Sequence, residues 1–148
     1  MIREAQSAQD RSVIVALWQA AAQQLDPQFA ASKWQSFALW LDKELLPQSQ
    51  VFIYDYHGVQ GFAQLKGRKL GALCVHPAAQ GKGIGKALLY YTLSRFSDLE
   101  VQLFTAAGEG QQYFKRQGFH PVQELLDSQT GLLQVQMVST RSNRYFSY

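Results

Sequence analysis

Cysteine is nearly absent from this chain: Cys74 is the only one in 148 residues. That excludes an internal disulfide framework and fits a reducing compartment, so a cytoplasmic protein is expected. The neighbours of Cys74 are apolar, which points to a small buried hydrophobe. Charge is scarce as well. Charged residues make up 17% of the chain and hydrophobic ones 47%, a balance that excludes a disordered protein. No apolar run approaches the roughly 20 residues that cross a bilayer, so no membrane partner is expected. The opening MIREAQSAQD lacks an apolar core, and no secretory leader is expected. The net charge of +3 and a pI near 9.1 suit an anionic ligand. Yet the basic residues are scattered and are not interleaved with aromatics, which argues against nucleic acid as a partner. Internal repeats and low-complexity linkers are missing too. The length suits one domain, expected over 1–139, with 140–148 as a loosely held tail.

What is present is a regular alternation of helical and strand patterns. MIREA reads as a short first strand. Ser7 with Asp10 three residues on forms an approximate capping box. The helix it opens puts Ile14, Leu17, Trp18, Ala21 and Leu25 on one face. Pro27 breaks it. A second helix, with Ser32 as its cap, buries Trp34, Phe37, Ala38, Leu41 and Leu45 and ends at Pro47. The β-formers of 51–56 and 61–66 flank a hairpin turn around Gly58. KLGALCVHP (69–77) is apolar on both faces, the mark of a strand covered on both sides in the middle of a sheet. A helix from Ile84 to Phe96, a strand at 99–105, a short helix at 109–117 closed by Gly118, and two final strands complete the chain. The order is β-α-α-β-β-β-α-β-α-β-β. It is an α/β (α+β) pattern with a right-handed crossover that leaves strands 69–76 and 99–105 parallel.

The stretch HPAAQGKGIGKALL (76–89) carries the chemistry. It joins the central strand to a helix start. The first N–H groups of a helix have no internal acceptor, and the helix dipole makes that end positive. Gly81, Gly83 and Gly85 let the backbone approach a ligand closely. Lys82 and Lys86 add charge. Together they form an anion cradle suited to phosphate. A Walker A loop is excluded, because Gly85-Lys86 is followed by Ala87 and Gln80 stands where its first glycine belongs. The dinucleotide fingerprint G-x-G-x-x-G also fails, since its last glycine would fall on Lys86 or Leu88.

The pattern that does fit is Gln/Arg-x-x-Gly-x-Gly/Ala, read as Gln80-Gly81-Lys82-Gly83-Ile84-Gly85. LCVHPAAQGKGIGKALL resembles the acetyl-coenzyme A motif of the GNAT superfamily of acyltransferases, and YFKRQGF (113–119) resembles that family's later FY-x-x-x-GF segment. MIREAQ and RQGFHPV are similar to small bacterial members that acetylate protein lysines. The resemblance implies a mixed, mostly antiparallel central sheet of about seven strands with helices on both faces. It implies acetyl-CoA as co-substrate and no metal. The pyrophosphate would sit on the N–H groups of 80–86, here Gln80, Gly81, Lys82, Gly83, Ile84, Gly85 and Lys86. The pantetheine arm would pair with Leu73-Cys74-Val75 like an added strand. A backbone N–H near Val75 would hold the thioester carbonyl. The acceptor would be a primary amine: a protein lysine, a peptide N-terminus or a small amine. A homodimer is admitted as well as a monomer.

The chain departs from the family at two places. The tyrosine position holds Phe114, with Tyr113 one residue earlier, and the asparagine position holds Ala107. Adjacent helical residues point about 100° apart. Tyr113 is the residue assigned to protonating the departing thiolate. Water in that role, or a chain that binds the coenzyme as a sensor without turning over, stay open beside it. A nucleotide-binding protein of another class is a third reading, against which the two failed motifs count. His76 reads as a solvated turn residue, Trp34 as core, and Trp40 as either a helix-packing or an acceptor-contacting side chain.

Overall fold

The periods read in the sequence reappear in the computed structural model, which describes residues 2–25, 31–96, 98–105, 108–128 and 131–139. Strands β1 (Ile2–Glu4), β2 (Gln50–Asp55), β3 (Val59–Lys66), β4 (Lys69–Val75), β5 (Glu100–Phe104), β6 (Phe119–Leu126) and β7 (Leu133–Ser139) alternate with helices α1 (Ala8–Leu25), α2 (Ala31–Trp40), α3 (Ile84–Arg95) and α4 (Gly108–Arg116). This is the expected element order. The seven strands are arranged β1-β2-β3-β4-β5-β7-β6, with β4 fourth of seven. β4 and β5 run parallel, with Lys69 opposite Glu100, while β1–β2, β2–β3, β5–β7 and β6–β7 are antiparallel. Contacts gather into two compact units. One holds the described residues up to Gly67 together with Ala72–Thr92. The other holds Arg68–Gly71 and the described residues from Leu93 onward.

In the first unit, strand alternation serves two helices on opposite faces. Val51, Ile53 and Phe62 point to one side and bury Ile14 and Leu17 of α1. Phe52 points to the other, where its ring meets Tyr91 of α3 edge-on at 5.1 Å. Burying each such side chain contributes about 1.5–3 kcal/mol. The start of α1 follows the capping expectation with one change. Ser7 Oγ accepts the Asp10 N–H at 3.0 Å, but the Asp10 carboxylate reaches past Ser7 to accept the Gln6 N–H at 3.0 Å. It also holds Arg3 in a fork, at 2.9 and 3.0 Å. Hydrogen bonding to Arg3 keeps the Asp10 carboxyl well below the usual carboxylate range. α2 is described from Ala31, which puts Ser32 inside the helix and not at the position before it. Nor does Pro47 cut it cleanly. The helix widens into a π turn (Leu41–Leu45) and then a 3₁₀ turn (Leu46–Gln48) that contains Pro47, which keeps Leu41 fully buried.

In the second unit, β5 and β7 are amphipathic. Val101 lies opposite Met137, and both are buried. Their neighbours turn the other way into a polar ladder, where Gln136 Nε2 donates to Glu100 at 2.7 Å and Lys69 Nζ donates to Gln102 at 3.1 Å. Phe114 of α4 packs against Phe119 of β6 with ring centres 5.2 Å apart. Gly118 takes φ 96° after α4, as the closing residue should. Pro27 and the tail 140–148 lie outside the described residues.

Candidate functional site

β4 stops at Val75, and the loop that follows is organised by its own backbone. Pro77 cannot donate to a strand ladder and opens a 3₁₀ turn, Pro77–Ala79. His76 caps that turn, its Nδ1 accepting the Ala78 N–H at 3.0 Å, which is the structural turn role expected of it. Gln80 Nε2 donates to the Val75 carbonyl at 3.2 Å and ties the loop back to the strand.

Gly81 and Gly83 then adopt φ of 80° and 81°. This is the left-handed region, where a Cβ costs roughly 1–2 kcal/mol. The Gly83 carbonyl accepts the first helical bond, from the Ala87 N–H at 3.0 Å, so Gly83 caps α3. The N–H groups of Ile84, Gly85 and Lys86 have no carbonyl one turn back to receive them. Nothing lies within 4 Å of a Cβ built at Gly81 or Gly83, so the space over the loop is open. The three alternate glycines are not equivalent. Gly85 sits inside the helix without a left-handed φ, and a Cβ there would touch Val75 Cγ2 at an ordinary 3.6 Å.

The electrostatics of the loop are one-sided. The first turn of α3 carries no acidic residue. Lys82 and Lys86 are exposed beside a helix end that is itself positive. Cations in that place are unfavourable until an anion comes between them. Lys86 Nζ lies 5.4 Å from the ring centre of Tyr90, one turn further along α3.

Leading into the loop, β4 is less covered than its composition suggests. Leu70 is buried, while Leu73, Cys74 and Val75 are only partly buried. Cys74 packs against the α1 core cluster, and burial pushes its thiol up to about 12, so it stays protonated. Behind the loop stands a residue that sequence reasoning passed over. A Cβ on Gly61 of β3 would fall 2.8 Å from the Cys74 carbonyl oxygen and 3.3 Å from side-chain carbons of Ile84 and Leu88. Only glycine lets α3 approach the sheet so closely here. A glycine inside a run of β-formers was the available signal.

The loop residues and the end of β4 are thus brought together in one unit. Tyr113 belongs to the other. It is half-buried on α4, with its hydroxyl buried and its ring edge-on to Phe114 at 5.3 Å. Phe114, at the family's tyrosine position, is a core residue at 8% exposure. Ala107 lies outside the described residues. Trp34 is buried as expected, and Trp40 is half-exposed, its ring stacked on Phe37 at 5.6 Å. A separate pocket of about 110 Å³ by the α1 start, lined by Glu4, Gln6, Ser7 and Arg11 among others, contains none of the expected site residues. Among the described residues no helix is long and apolar enough to cross a membrane. No group of three or more His, Cys, Asp or Glu among them could hold a metal ion.

Comparison with known proteins supplies the remaining evidence. The acetyltransferase (GNAT) domain family matches residues 47–121, which contain the whole loop. The chain is 31% identical over 124 residues to the peptidyl-lysine N-acetyltransferase YiaC of Escherichia coli (strain K12), covering 82% of this chain and 84% of that one. Among solved structures, the apo form of YjaB from Escherichia coli superposes with a TM-score of 0.70 at 19% identity, over 93% of this chain and 97% of its own. YncA from Salmonella typhimurium, solved with its cofactor acetyl-CoA, gives 0.62 at 18% identity over 93% and 91%. The two structures are alike in fold.

Proposed function

The chain belongs to the GNAT acetyltransferases, and on that premise we propose that it moves an acetyl group from acetyl-CoA to a primary amine by direct attack, with residues 80–86 holding the coenzyme. The observation that carries the assignment of residues is the loop itself: two left-handed glycines that open the N-terminus of α3, flanked by two exposed lysines and no acid. The coenzyme's diphosphate is the anion this loop suits. The N–H groups from Gly81 to Lys86 receive its oxygens, and Lys82 and Lys86 neutralise it. Leu73, Cys74 and Val75 at the end of β4 supply the strand edge for the pantetheine amides.

The acceptor amine arrives neutral, its lone pair attacks the thioester carbon, and the carbonyl electrons move onto oxygen. A backbone N–H near Val75 stabilises that oxyanion. The oxyanion collapses, the carbon–sulfur bond breaks, the amide forms and the nitrogen passes its extra proton to water. Tyr113 is the group we assign to protonating the sulfur. Much of the acceleration in such a mechanism comes from positioning. A peptide lysine is the acceptor to try first, since the relative YiaC acts on one. A cytoplasmic location fits the single cysteine.

Thermal unfolding tests the assignment. Acetyl-CoA at a hundred times its Kd adds about 2.7 kcal/mol of stability, roughly 5–10 °C for a chain of this size. ATP and NAD at the same concentration leave Tm unchanged. Equal stabilisation by ATP refutes the coenzyme assignment.

A further inference from the structure

Tyr90 is 51% exposed, on a helix whose opposite side buries Leu88, Leu89 and Thr92. Its ring lies beneath the Lys86 ammonium, four residues earlier. This pairing has an electrostatic cause. Lys86 occupies the third position of α3, where the positive helix end and nearby Lys82 repel it and no first-turn acid attracts it. The ring face is the partner within reach. We propose that Tyr90 is a stacking platform for the adenine of the bound coenzyme, guarded by Lys86 until a diphosphate arrives; the proposal rests on the coenzyme assignment above.

The exchange follows from relative strengths. An exposed cation–π contact is weaker than a charge-assisted hydrogen bond to phosphate. A diphosphate on the loop therefore draws the ammonium off the ring. The uncovered face then lies one turn, about 6 Å along the helix, from Lys86. An adenine joined to the diphosphate through ribose spans that gap. Stacking tolerates any flat π-surface and needs no hydrogen-bond readout, which suits a lone exposed aromatic. Lys86 and Tyr90 thus act in sequence on two parts of one ligand.

Isothermal titration of the full chain with acetyl-CoA and with acetyl-4′-phosphopantetheine, which keeps one phosphate and lacks the 3′-phospho-AMP half that carries the adenine, tests this. Tyr90→Leu is expected to weaken acetyl-CoA about tenfold, equivalent to about 1.4 kcal/mol, and to leave acetyl-4′-phosphopantetheine within twofold. Tyr90→Phe keeps the wild-type affinity for both. Tyr90→Gln repeats the measurement in case an exposed leucine promotes association. Equal weakening of both ligands, no weakening of either, or a Phe variant as damaged as the Leu variant overturns the proposal. Failure of the wild-type chain to bind either thioester is a different result and overturns the coenzyme assignment itself.

Discussion

Replacing Gly61 with alanine adds one methyl group at the tightest point behind the phosphate loop. The new Cβ would lie 2.8 Å from the Cys74 carbonyl oxygen, and 3.3 Å from Ile84 Cγ2 and Leu88 Cδ1. The two side chains can yield by small rotations. The carbonyl cannot, because it belongs to β4, so strand or helix must shift by roughly half an ångström. Overpacking of this kind costs about 1–3 kcal/mol. Gly61 has no left-handed φ, so alanine brings no conformational strain and regains about 0.5–1 kcal/mol of unfolded-state entropy. The steric term wins, and a net loss of about 1–2 kcal/mol is expected, lowering Tm by about 2–8 °C. The displaced groups are those that place the loop: the end of β4 and the first turn of α3. Acetyl-CoA affinity therefore falls about tenfold with no change in any group that touches the ligand. Urea unfolding gives the first number and titration calorimetry the second. A variant with Tm within 1 °C of wild type and unaltered affinity refutes the close-approach reasoning. A drop in Tm with full affinity refutes the link to the loop.

Three more outcomes follow. Gly83→Asp abolishes stabilisation by acetyl-CoA, since a carboxylate is placed where the diphosphate binds, whereas Gly85→Ala, with only a 3.6 Å contact to meet, keeps most of it; thermal shift with and without ligand separates the two. Asp10→Asn removes the negative charge and one of the two oxygens that accept from Arg3 and the Gln6 N–H, costing about 1–2 kcal/mol at pH 7 once the half-exposure of Arg3 is discounted. Because the folded-state carboxyl is held below its unfolded value of about 3.9, that difference is constant above pH 5 and shrinks as pH falls below 4; a pH-independent difference in urea midpoints refutes the ionic reading. Tyr113→Phe is expected to lower kcat about a hundredfold with little change in KM for acetyl-CoA and to alter the basic limb of the pH profile, followed as coenzyme A release against a lysine peptide. An unchanged rate removes Tyr113 from the reaction.

Most of the fold was legible because it rests on local periods. Ile14, Leu17 and Trp18 repeat at helical spacing, and Val51, Phe52 and Ile53 alternate between two covered faces. The loop was legible because glycine, lysine and proline have few conformational or electrostatic reasons to occur in that order. Gly61 was missed because its partner, the Cys74 carbonyl, is 13 residues away in sequence. The Lys86–Tyr90 pair was within reach at helical spacing, but nothing in the sequence says that the ring is left uncovered.

The chain's sequence alone determined the order of strands and helices, the anion-binding character of residues 80–86 and the family resemblance, since each depends on neighbours within a few positions. The tertiary structure decided which glycines are conformational and which steric, that Phe114 is core while the Tyr113 hydroxyl is buried, and that Leu73, Cys74 and Val75 are only partly buried. Those outcomes depend on atoms from distant segments arriving within a few ångströms of one another, a distance that no local pattern records.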